Sequence, residues 1–187
     1  MKRVIIVPFI ALALISCGET KRPEDMKAQR TADAKVFLDK IVSTVSECDS
    51  YDNKMADASQ KRDVLEIYQV AKSGEAACDQ AYRDIREISV PKSLSKKNED
   101  AMREHLSDLA LTYSVKGSKF SLFGKVANGD TRPSTLTDLQ QTSEDLPKRL
   151  MMNMAQIYTT FADDGVDLSN FGEGSQQVSG QQSQTTD

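Results

Sequence analysis

Two stripes of apolar residues, one on each side of a polar break, each carry a cysteine, and this arrangement leaves the chain few ways to fold. The first stripe runs Ala34, Leu38, Ile41, Val45, Cys48, Tyr51 and Met55; the second runs Val64, Ile67, Ala71, Gly74, Cys78, Ala81, Ile85 and Ile88. Steps of three and four residues place each set on one face of a helix. The polar stretch Asp57 to Asp63 separates them. In an antiparallel helical hairpin, facing residues have numbers with a roughly constant sum. Cys48 opposite Cys78 sets that sum at 126 and puts the turn near residue 63, at the end of the polar stretch. The same register faces Met55 with Ala71, Tyr51 with Gly74, Val45 with Ala81, Ile41 with Ile85 and Leu38 with Ile88. Large side chains meet small ones where the helices must approach. A break at Ser73-Gly74, giving a shorter second helix, is the rival reading.

Two further segments follow. Val90-Pro91 stops the second helix, because the residue before proline is pushed out of the α region. Ser93 is placed to cap a third helix, with a stripe of Leu94, Ala101, Met102, His105 or Leu106, Leu109, Tyr113, Phe120, Phe123 and Ala127. Lys116-Gly117-Ser118-Lys119 is a weak spot where that helix is expected to bend. Asn128-Gly129 ends it as a glycine stop. Past Arg132-Pro133, Ser134 or Thr135 can cap a fourth helix, with a stripe of Leu136, Leu139, Ser143, Leu146, Leu150, Met154, Ile157 and Phe161 that keeps its phase across Pro147. This predicts one kinked helix or two coaxial pieces. Helices over about 25–57, 63–89, 93–128 and 134–164, joined by short connections, predict an all-α, elongated, up-down-up-down four-helix bundle within 25–165. Each helix is on the order of 40–50 Å long. The tail, 166–187, is rich in Gln, Ser and Gly, cannot bury enough surface to offset its ordering entropy, and is expected to be disordered.

The chain begins MKRVIIVPFIALALISCGET. Lys2 and Arg3 precede an apolar stretch from Val4 to Ile15, too short for a membrane span, which needs roughly 20 such residues, and flanked as a signal peptide is. Leu14-Ile15-Ser16-Cys17 resembles the lipobox of bacterial lipoprotein precursors. The resemblance covers only the first 20 or so residues. It implies that 1–16 is removed, that Cys17 carries a diacylglycerol on its sulfur and an acylated amino terminus, and that 17–24 is a lipidated tether. Two or more acyl chains hold a protein firmly to a membrane. Gly18, where an Asp would retain a Gram-negative lipoprotein at the inner membrane, implies an outer-membrane address if the source is Gram-negative. An ordinary secretory signal with a chance cysteine is the plain alternative. Export by either route leads to an oxidising compartment where disulfides persist. With Cys17 taken by lipid, Cys48 and Cys78 are the remaining pair, and a bridge between them is expected.

Removing 16 residues from 187 leaves 171, enough for one domain and a tail. Without Lys2 and Arg3 the count is 22 basic against 28 acidic side chains, with no clustered basic face. That disfavours nucleic acid as a partner. His105 is the single histidine. A di-iron bundle would need Glu-x-x-His on two helices and a haem site Cys-x-x-Cys-His; neither occurs. Glu99-Asp100 and Asp163-Asp164 point apart on a helix and read as solvated surface. No nucleophile elbow or phosphate loop is present, so no enzyme activity, metal or cofactor is expected. Met151 and Met152 lie at the edge of the fourth stripe and outside it, and Met154 lies within it. Methionine surfaces adapt to partners, which makes Met151 and Met152 candidate partner-binding residues. The expectation is a membrane-anchored, non-enzymatic module of the cell envelope that binds or scaffolds another protein. A sensor or inhibitor that binds a small ligand or a foreign protein is the alternative.

Overall fold

The computed structural model describes residues 23–168. The leader, Cys17 with most of its tether, and the chain beyond Leu168 lie outside the described residues. Four helices account for nearly all of the described chain: α1 (Pro23–Lys61), α2 (Val64–Arg86), α3 (Lys96–Ala127) and α4 (Pro133–Asp163).

The ends of these helices follow from local chemistry. Asp63 caps α2, its carboxylate accepting the Glu66 N–H at 3.0 Å. Pro133 stands in the first turn of α4, where its missing N–H costs nothing. Three helices stop with the same pair of reversed hydrogen bonds. Asp63 N–H reaches Ala58 O and Arg62 N–H reaches Ser59 O. Asp130 and Gly129 do likewise to Lys125 and Val126, and Val166 and Gly165 to Phe161 and Ala162. This stop needs a left-handed residue, and glycine is the usual choice. Gly129 (φ +92°) and Gly165 (φ +76°) supply it, while Arg62 (φ +56°) adopts it with a side chain, at a cost of about 1 kcal/mol.

Three expectations about helix ends are corrected. Arg132, not Ser134 or Thr135, stands at the N-cap of α4, because Pro133 already occupies the first turn. The polar stretch from Asp57 is helix as far as Lys61, because polar residues there face solvent while Ala58 points inward, fully buried. Only Arg62 and Asp63 make the turn, at the position that the cysteine register gives. Ser95 rather than Ser93 stands at the N-cap position of α3, without a side-chain cap bond; the Ser93 hydroxyl is buried with no partner. Val166 is buried and Leu168 packs against the core, so order extends two to three residues into the segment expected to be disordered.

The helices run up, down, up and down, and neighbours in sequence pack side by side. Cys48 and Cys78 are joined by a disulfide with Cα atoms 4.7 Å apart. Around it, the facing pairs of the register lie in one core: Ile41 and Ile85, Val45 and Ala81, Leu38 and Ile88, Met55 and Ala71. Gly74 does not break α2. A Cβ there would come within 2.8 Å of the Phe120 ring, so the absence of a side chain lets α3 lay that ring against the α2 backbone. The same ring stands edge-on to Tyr51 at 6.4 Å. One turn away, the Gly117 backbone passes over the Cys78 Cβ. The expected weak spot at 116–119 is unbroken helix, and its small residue serves this close approach.

The N-terminus of α1, the α2–α3 connection and the C-terminus of α4 share one end of the bundle, here called the base. Arg30 ties them by donating to Ser93 O (2.9 Å) and Asp164 O (3.0 Å). The Asp164 carboxylate accepts the Ser95 N–H at 2.7 Å, placing a negative charge at the N-terminus of α3. Asp164 is therefore a clasp rather than idle surface. Phe37 and Phe161, edge to face at 5.5 Å, join α1 to α4 above it. The α1–α2 and α3–α4 turns form the opposite end, the tip.

Candidate functional site

Chemistry-bearing side chains converge where α3 crosses α1. Lys116 is 2% exposed, although it carries a charge. Its ammonium lies 2.5 Å from Asp49 and 2.6 Å from Asp52, three residues apart on one face of α1. Lys119 adds an ion pair to Asp52 at 3.2 Å. The Tyr113 hydroxyl donates to both Asp49 oxygens at 3.1 Å. Burial first, and then the Asp49 charge, push the Tyr113 pKa up, so this phenol stays protonated and remains a donor. Two carboxylates against two ammonium groups make the cluster neutral. Lys116 is buried, Lys119 is half-buried and the carboxylates reach water, so the cluster acts as a register lock between two parallel helices.

A lock of this kind has a measurable weight. Lys116→Ala is expected to cost about 2 kcal/mol, mostly from the buried stem, since Asp49 and Asp52 are exposed enough to rehydrate. Lys116→Met, which refills the volume, is expected to recover at least half of that. Urea unfolding of both variants measures the difference; equal losses would mean that the charge, not the stem, dominates.

Beside the cluster, a groove of about 420 Å³ opens between α1, α3 and α4. Met55, Ala56, Phe123, Leu146, Pro147 and Leu150 give it apolar walls, and Asp52 and Lys119 stand at its edge. The groove exists because the backbones of α1 and α4 do not approach closely.

The α3–α4 seam is polar at a seven-residue spacing. Asn98 donates to Thr160 O at 3.3 Å, and Asn153 donates to Thr112 Oγ1 at 2.8 Å, all four residues being buried. His105 is spaced evenly between Asn98 and Thr112; Leu106 takes the core position and His105 is half-buried, with a buried Nδ1 that has no partner. Among the described residues, no group of three or more His, Cys, Asp or Glu could hold a metal ion.

Met151 and Met152 are 70% and 60% exposed, whereas Met154 packs against the core. Met152 lies beside Leu111, itself 55% exposed, in a shallow cleft with Val115, Thr112 and Asn153, flanked by Asp108 and Arg149. Met151 and Met152 are therefore apolar side chains without apolar cover. Glu99 and Asp100 sit in surface ion pairs with Lys96 and Arg103. No described helix is long and apolar enough to cross a membrane. No protein-family model, curated protein or solved structure matches this chain.

Proposed function

We propose that this protein is an exported, lipid-anchored lipoprotein whose helical bundle binds another protein of the cell envelope without catalysing a reaction. The leader and Cys17 support the anchor, held in the membrane by N-terminal acyl chains and, in a Gram-negative source, in the outer membrane. The observation that carries the binding reading is the uncovered Met152 and Leu111 surface on α4 and α3, with Met151 exposed next to it in sequence. Large apolar side chains left in water beside a cleft with one charge of each sign suit an adaptable protein contact.

The test places a photoreactive phenylalanine at Met152 in the anchored chain in cells. Irradiation is expected to give one discrete heterologous adduct, lost when Leu111→Lys is added and absent when the probe sits at Lys72 on α2. An adduct pattern that ignores Leu111→Lys, or recovery of the bait alone across growth conditions, would refute the contact. The anchor is tested separately: Cys17→Ser should leave uncleaved, unlipidated precursor, and normal processing would sink it.

A second reading is a sensor or inhibitor that holds a small ligand. The apolar groove between α1, α3 and α4 favours it, since ligand sites are concave, largely apolar and edged by a few polar groups. A Leu150→Trp variant that fills the groove and abolishes a ligand-induced thermal shift would support this reading; no shift from any library member would remove it.

A further inference from the structure

The two halves of α4 are held very differently. From Leu146 to the C-terminus the helix buries Leu146, Asn153, Ile157, Thr160 and Phe161. From Pro133 to Asp145 it buries only Thr135, and that hydroxyl bonds to Asp130 in the turn next to it, at 3.1 Å. Leu136 is 44% exposed, and Leu139, although half-buried, does not pack against the core. The tip half of α4 thus contributes no apolar side chain to the core, despite carrying two leucines of the stripe.

The backbone is weak in the same place. Pro147 has no N–H to give the Ser143 carbonyl, and its ring crowds that carbonyl. Ser134, Thr135, Thr137, Asp138, Thr142, Ser143 and Asp145 are all poor helix formers, so propensity does not replace the missing packing. The groove against α1 is walled on the α4 side by Leu146, Pro147 and Leu150, and no residue of 133–145 reaches it. Below Pro147 the picture reverses: the Asn153–Thr112 and Asn98–Thr160 hydrogen bonds, the Phe37–Phe161 contact and the Asp164 clasp fix the base half.

We infer that residues Pro133–Asp145 form a strap that opens locally, hinged at Pro147, while the other three helices and the base half of α4 stay folded. Local opening is drawn from the parts of a protein with few buried apolar contacts, and the strap meets that condition on packing, propensity and hydrogen bonding at once. The hinge residue Pro147, with Leu146, lines the groove beside the half-buried Phe123 of α3, so opening of the strap acts on the groove through this wall. The inference is independent of the Met152 surface, which lies on the base side of Pro147 and stays in place.

Native-state hydrogen exchange on the full-length chain in detergent, read by mass spectrometry, tests it. Amides of 135–145 are expected to be at least about 100-fold less protected than those of 150–161, with little dependence on low urea concentrations. Pro147→Ala restores the N–H and is expected to slow exchange in the strap by about tenfold or more, leaving α2 unchanged. Thr137→Ala with Asp138→Ala, at exposed positions, should slow the strap several-fold by propensity alone. Equal protection in the two halves of α4 would overturn the inference. So would a slowing in Pro147→Ala that spreads equally over all four helices.

Discussion

Replacing Cys48 and Cys78 together by alanine is expected to lower the unfolding free energy by about 3–4 kcal/mol. The bridge spans 30 residues, and closing a loop of that length removes about this much from the unfolded chain on the chain-entropy estimate. Both cysteines are fully buried, and the Gly117 backbone lies over Cys78. The native bridge should therefore resist added thiol until the bundle opens. Urea midpoints measured with and without reductant check both points. The reduced wild type and the double alanine variant should unfold at nearly the same concentration, with reduction occurring only within the transition. A double alanine variant that unfolds at the midpoint of the oxidised wild type would show that the bridge contributes little.

Phe120→Ala carries the other large effect, about 3–5 kcal/mol, as for a fully buried aromatic ring removed from a core. The ring is where α1, α2 and α3 meet, against the Gly74 backbone and edge-on to Tyr51. Gly74→Ala attacks the same contact from the opposite side. Its new methyl would sit 2.8 Å from the ring, inside contact distance, and overpacking of this kind costs about 1–3 kcal/mol. The double variant should lose less than the sum of the two, by at least about 0.5 kcal/mol, because the methyl enters space that the ring has left. Strict additivity in denaturant unfolding would mean that the ring and the glycine do not share that space.

The first hairpin was legible because three signals coincided: the stripes, the cysteines and a turn at the sum that the cysteines set. What escaped was polar. The α3 stripe as read jumps from Tyr113 to Phe120, and Lys116 lies in that gap, on the same face. Charged residues are discounted as core on average, yet two carboxylates three residues apart on α1 supply what a buried ammonium needs. The spacing of Asp49 and Asp52 around the Cys48 turn was the available clue. Asn98, Thr112, Asn153 and Thr160 went unread for the same reason. The opposite error fell on Leu136 and Leu139, which are in phase but outside the core. Phase states which face a residue shares, and it does not state whether a neighbouring helix comes close enough to cover that face. The exposed position of Met152 follows from phase alone, whereas its neighbour Leu111 on α3 required the packing of the two helices.

The clasp at the base sets how the molecule would bear a load. Residues 23 and 168 lie at the same end, so tension between them acts on Arg30, Asp164 and Ser95 first, and then on each contact in turn, like a zip. Tension between base and tip instead loads the whole length of α1 against α2 at once, across a covalent bridge midway. The same bundle is therefore compliant when pulled apart at its base and stiff when pulled along its axis.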